Sequence, residues 1–192
     1  MPRVEDFNRA DVIEKAKEVF WKKGYEATSM QDLVDAMGLN RSSIYNSFGG
    51  KMELYRESIR TYQKETNAYL RDALVTGDPM EALETLFENA IQSIVMDKDN
   101  KGCFNMNCRM EMAERDDHLK DWLRGTEEHN LDLFAGIIRS GQEKGVINKL
   151  QSADQYARYV MSGYQGLRIS GILNKDQAQL QAIASTVLSP LR

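Results

Sequence analysis

Residues 28–51 read TSMQDLVDAMGLNRSSIYNSFGGK, and the fold follows from how the apolar and capping residues are spaced within them. Met30, Leu33, Val34 and Met37 recur at i, i+3, i+4 and i+7, the period of one helix face. Thr28 or Ser29 can cap that helix, because a hydroxyl accepts from an unpaired N–H of the first turn. Gly38 follows and supplies a left-handed residue, which ends a helix at little steric cost. Asn40 can cap a second helix that turns Ile44 and Phe48 inward. Arg41, Ser42, Ser43, Tyr45, Asn46 and Ser47 are left for its outer face and edges. Helix, glycine turn and polar-faced helix make a helix-turn-helix, whose second helix is shaped to enter a DNA major groove.

The flanks extend the pattern. Residues 9–23 carry Val12, Ile13, Ala16, Val19 and Phe20 on one face, and Gly24-Tyr25-Glu26-Ala27-Thr28-Ser29 follows. After the two short helices comes Tyr45-x-x-Phe48-x-x-Lys51-x-x-Leu54. This order over residues 9–55 resembles the N-terminal domain of the TetR family of bacterial transcriptional regulators. Two positions depart from the family's usual residues: Ser42 stands where Gly is common and Ser47 where His is common.

The resemblance implies an all-α protein. An N-terminal three-helix helix-turn-helix DNA-binding domain (residues 1–51) would precede a C-terminal helical effector-binding and dimerisation domain (residues 52–192). It also implies a non-enzymatic regulator, a repressor that binds a palindromic double-stranded DNA operator as a homodimer and releases it when a small-molecule effector binds. The expected DNA-binding residues are Thr28, Arg41, Ser42, Ser43, Tyr45, Asn46, Ser47 and Lys51. Arg41 can reach a guanine edge or a phosphate. Ser42 and Ser43 let the backbone approach, and the Tyr45 hydroxyl can meet a phosphate. Lys51 adds a charge to the free N–H groups of a helix start, a combination that suits a phosphate.

Composition fits this reading. The 192 residues suffice for one large domain or two small ones. There are three prolines, no apolar run long enough to cross a bilayer and no signal peptide, so a cytoplasmic protein without membrane contact is expected. The net charge of −4 is distributed unevenly. Residues 1–51 balance eight Lys/Arg against eight Asp/Glu, and the remainder carries 17 basic and 21 acidic groups. Between Gly38 and Lys51 there is no acid at all, so the surface offered to DNA is locally positive.

The rest of the chain reads as helices over about 51–76, 79–97, 103–114, 118–144 (with a possible interruption near Gly125), 156–173 and 177–188. Gly77-Asp78-Pro79 stops one helix, caps the next and opens it with proline. Aromatic and Met stripes are more often plain core, but the resemblance implies an effector pocket in this region, expected among Tyr62, Phe87, Cys103, Phe104, Met106, Met110, Trp122 and Tyr164. Helices 126–144 and 156–173 suggest the dimer surface, with Gly163, Gly166 and Ser170 permitting close approach; the alternative is that these small residues pack within the protomer.

No cofactor or metal is expected. Cys103 and Cys108 are five residues apart, roughly 140° around a helix. His118 and His129 would lie ~16 Å apart along one at ~1.5 Å rise per residue. Phe48-Gly49-Gly50-Lys51 lacks the first glycine, the preceding strand and the hydroxyl of a phosphate-binding loop. The cysteines read either as small buried hydrophobes or as an electrophile- or oxidant-sensing thiol at Cys103, which follows Gly102 at a helix start. The rival of another class, a thiol redox enzyme using both, lacks a C-x-x-C motif.

Overall fold

The computed structural model describes residues 7–73 and 77–192, the side chains of 68–73 excepted. Its elements are α1 (Arg9–Lys23), α2 (Met30–Met37), α3 (Arg41–Phe48), α4 (Lys51–Ala73), α5 (Pro79–Met96), α6 (Phe104–Met112), α7 (Asp117–Lys144), α8 (Ala153–Leu173) and α9 (Gln177–Leu188), then a 3-10 turn at Ser189–Leu191. No strand occurs among the described residues. The expected end of α4 near Thr76 lies outside them. α7 runs through Gly125 as one continuous helix. α8 begins three residues before the expected Tyr156, because Ser152 and Gln155 form a reciprocal capping box.

Most helix starts among the described residues carry a side-chain cap. Asn8 accepts from the Ala10 N–H at 3.0 Å. Ser29 and Asp32 form a capping box on α2, which makes Ser29 the cap in place of Thr28. Asn40 accepts from the Ser43 N–H at 2.8 Å, and Asp78 caps α5 with Pro79 at its first position.

Two compact units form. Among the described residues, the first comprises 7–66 and 103–121, the second 67–73, 77–102 and 122–192. The expected 51/52 boundary falls at the start of α4, within the first unit. The first unit is centred on Tyr55, which is fully buried. Phe20 of α1 meets it edge-on at 5.0 Å, Tyr25 at 5.2 Å and Phe104 of α6 at 5.6 Å. Leu33, Ile44, Leu54 and Ile59 are also wholly buried. The Lys17 ammonium of α1, nearly buried, reaches Glu65 of α4 at 2.7 Å and Glu14 at 2.6 Å. Burial works to lower its pKa, but the two carboxylates outweigh this and leave it raised. α4 up to residue 66 and α6 thus belong to the core that supports the helix-turn-helix.

In the second unit α5, α8 and α9 pack together, and α7 adds Phe134, Ala135, Ile137 and Ile138. Gly163, expected at a dimer contact, is an internal packing position. A Cβ there would lie 2.5 Å from Cγ1 of Val187 in α9 of the same chain. Gly166 meets nothing within 4 Å and is exposed, as is Ser170.

Two outcomes test this packing. Phe104→Ala should lower the unfolding free energy by ~3–5 kcal/mol, the usual cost of truncating a buried aromatic, read from denaturant melts. The Asp32 carboxyl is held well below the usual carboxylate range by the Lys23 ammonium and by the Ser29 N–H and hydroxyl. A depressed folded pKa contributes stability above the unfolded value of ~3.9 and loses it as pH falls through the folded one. The melting-temperature gap between wild type and Asp32→Asn should therefore be widest near neutral pH and close as pH drops below about 4.

Candidate nucleic-acid interface

α2 and α3 have eight residues each and are joined by Gly38-Leu39-Asn40. α2 buries Leu33 and Met37, and α3 buries Ile44 and Phe48. With those positions inward, Arg41, Ser42, Tyr45 and Asn46 are all exposed, at i, i+1, i+4 and i+5 of one helix face. The N-terminal end of α3, with its partial positive charge, lies at Arg41.

Arg9 of α1 holds the other end of α3. Its Nη1 donates to the Ser47 carbonyl at 2.8 Å, its guanidinium lies 4.3 Å from the Phe48 ring centroid, and its Nη2 pairs with Glu57 at 2.6 Å. A carbonyl of the last turn, left without a helical partner, is thereby satisfied. Sequence reading missed Arg9, since an arginine at a helix start carries no sign of a partner 38 residues away.

The turn into α4 consists of Gly49 and Gly50, both at positive φ. A Cβ on Gly50 would lie 3.2 Å from the Tyr45 ring, so the small residue lets the ring lie against the turn. The Lys51 ammonium stands 4.3 Å from the Tyr25 ring centroid and is held there by the ring's negative face. Ser43 and Ser47 are half-buried at the edges of the face. Thr28 departs from its expected role: its residue is 1% exposed and its hydroxyl donates to the Gly24 carbonyl at 2.6 Å. A hydroxyl turned inward to that carbonyl is not presented to a phosphate.

The eight residues expected at an effector site divide between the units. Tyr62, Cys103, Phe104, Met106 and Met110 lie in the first; Phe87, Trp122 and Tyr164 lie in the second. In the first, Tyr62 packs on Trp21 at 4.9 Å and on Phe104 at 5.8 Å. Met110 is 86% exposed, being two residues, roughly 200°, from the buried row of Phe104, Cys108 and Met112. In the second, Phe87 meets Tyr164 edge-on at 5.5 Å. None of the eight lines the cleft of about 390 Å³ between the start of α5 and the C-terminal half of α7, bordered by Pro79, Ala82, Leu133, Ile137, Ser140 and Lys144.

Both cysteines are free. Cys103 is the N-cap residue of α6, and its Sγ lies 3.7 Å from the Tyr62 hydroxyl. Cys108 is fully buried. Burial pushes its thiol up to about 11, the charges of Glu111 and Asp116 add to this, and the Tyr55 hydroxyl opposes it. A thiol held protonated and out of solvent is not half of a redox pair.

Comparison with known proteins gives one result across the chain. The pattern of bacterial regulatory proteins of the tetR family matches residues 12–57, and that of the tetracyclin repressor-like C-terminal domain matches residues 79–187. The HTH-type transcriptional regulator YezE of Bacillus subtilis is 27% identical over 193 residues, covering 100% of both chains. The HTH-type transcriptional repressor KstR2 of Mycobacterium tuberculosis is 31% identical over 154 residues, 79% of this chain and 75% of that one. Among solved structures, a cysteine mutant of the TetR family regulator CifR, complexed with 26-base-pair operator DNA, superposes with a TM-score of 0.86 at 24% identity. That match covers 99% of this chain and 100% of the other. Among the described residues, no helix is long and apolar enough to cross a membrane.

The cysteine geometry sets an order of reaction. At pH 8 a thiol-alkylating reagent should modify Cys103 well before Cys108 in the native protein, and both at comparable rates in denaturant. Mass spectrometry of timed digests reads this, and equal native rates would contradict the burial of Cys108.

Proposed function

The chain is a helix-turn-helix transcriptional regulator of the TetR family, and from that premise we propose that it is a ligand-responsive repressor. It binds a palindromic operator as a homodimer and releases it when a small molecule occupies the helical C-terminal region. The observation that carries the reading is the exposed, acid-free face of α3, with Arg41, Ser42, Tyr45 and Asn46 on one side and Arg9 and Asn40 fixing its ends. Its roles follow from chemistry. Arg41 reads a base edge or a phosphate, Tyr45 and Lys51 hold phosphates, and Asn46 with Ser42 and Ser43 meets the groove. Ser47 lies at the edge of this face. Repression is favoured because several relatives, among them KstR2 and the DhaR protein of a Mycobacterium species, are named repressors.

A dimer is favoured by the outer face of α8. Tyr159, Gly166, Ile169 and Leu173 are exposed at spacings of seven, three and four residues, with Leu173 95% and Ile169 55% exposed. Such an apolar stripe on a helix calls for a partner, and a second copy set about a two-fold axis satisfies it.

The first test is footprinting of the purified protein on its own promoter region; no protected segment would reject the proposal. Arg41→Ala should then weaken binding without changing the melting temperature. If Arg41 reads a base, preference at one operator position should relax by ~1–3 kcal/mol; equal loss on every sequence would make it a phosphate contact. Lys51→Ala should flatten the plot of log K against log salt by ~0.9 per lost phosphate, about twice that for a dimer. An unchanged slope removes Lys51 from the phosphate contacts. Ile169→Glu and Leu173→Glu should yield monomers by light scattering, with operator affinity falling in parallel, because half-sites ~34–36 Å apart must be held together.

A further inference from the structure

Glu111 lies on α6, yet its carboxylate accepts two backbone N–H groups from the turn between α1 and α2. Tyr25 N–H donates to Oε2 at 2.8 Å and Glu26 N–H to Oε1 at 2.8 Å. Hydrogen bonds to an ionised acceptor are the strong kind, and two at one carboxylate fix direction as well as distance.

The turn is shaped around that carboxylate. Gly24 has φ +81°, where side chains are strained, and a Cβ there would lie 2.9 Å from Oε2 and 3.1 Å from Oε1 of Glu111. Nothing larger than hydrogen fits without displacing the carboxylate. A second, exposed link runs in parallel, from Arg115 to Glu26 at 2.6 Å.

The clasped residues are those from which the DNA-facing elements take their position. The Tyr25 carbonyl accepts the Thr28 N–H at 3.3 Å and the Gly24 carbonyl accepts the Thr28 hydroxyl at 2.6 Å. Ser29, the next residue, caps α2. The Tyr25 ring in turn carries the Lys51 ammonium. The start of α2 is thus tied to this turn through the chain, and Lys51 through the ring.

We propose that Glu111 is a positioning residue for operator binding: it sets the α1–α2 turn, and through it the seating of α2, α3 and Lys51, rather than by touching DNA. This rests on the reading of α3 as the DNA-facing helix.

The test uses the full-length chain and the promoter fragment that wild type protects. Glu111→Gln keeps the shape but leaves an amide NH₂ facing one of the two N–H donors; Glu111→Ala removes both acceptors. Both should weaken operator binding by about tenfold or more, the effect of losing one to two such bonds. Residue-resolved amide exchange should quicken at Tyr25 and Glu26 by a similar factor, while α5, α8 and α9 keep wild-type protection and the far-ultraviolet helical signal is unchanged. Gly24→Ala should reproduce the loss by displacing the carboxylate from the other side. Combined with Glu111→Ala it should add less than its separate effect, because both act on one contact.

Operator affinity within twofold of wild type in Glu111→Gln, despite faster exchange at Tyr25 and Glu26, would overturn the proposal. Protection lost throughout the chain in both Glu111 variants would also overturn it, since the residue would then serve general stability. Failure of wild type to bind any promoter fragment rejects the DNA-binding reading and this one with it. Unchanged exchange in a chain that does bind rejects this one alone.

Discussion

Two eight-residue helices cannot hold themselves together in water, and the first unit is built around that constraint. Isolated helices shorter than ~12–15 residues are marginal, because the first turn costs more than the following bonds return. α2 and α3 therefore exist only as far as Leu33, Met37, Ile44 and Phe48 are buried. α1 brings Phe20 and α4 brings Leu54, Tyr55 and Ile59, and Tyr55 gathers Phe20, Tyr25 and Phe104 around one ring. With the inner residues fixed in this way, the outer face of α3 is determined as well.

Charge on this surface is governed by placement rather than by totals. Several cations of the first 51 residues are engaged inside the unit: Arg9 on Ser47 and Glu57, Lys17 on Glu14 and Glu65, Lys23 on Asp32, and Lys51 over Tyr25. What distinguishes the α3 side is the lack of acids between Gly38 and Lys51, with Arg41 at the positive end of the helix. A chain of net charge −4 can present such a face because screening in physiological salt removes charges more than ~8 Å away from the local balance.

The second unit shows what small residues do when read without a partner in view. Gly163 and Gly171 lie close in sequence to Gly166, yet they accept Val187 and Ile94 of the same chain, while Gly166 stays open. Composition cannot separate these cases, because glycine permits close approach without saying of what. The apolar residues around Gly166 do separate them, since Ile169 and Leu173 are left exposed by a helix whose other face is fully packed.

Local chemistry made much of this protein legible in its sequence. Helical period placed α1 and α9 at their observed ends, and Gly38 and Asn40 marked the end of α2 and the start of α3, because those signals act within a turn or two of the residue that carries them. The polar face of α3 was readable for the same reason. The tertiary structure alone decided what depends on distant partners. It turned the Thr28 hydroxyl inward, set Arg9 on the end of α3, and brought α6 into the first unit through Phe104. It also joined Glu111 to a turn 86 residues earlier. Periodicity shows that a residue is buried or exposed, but not which element faces it. That choice is made by close packing of the whole unit, where each side chain fits only one arrangement of its neighbours.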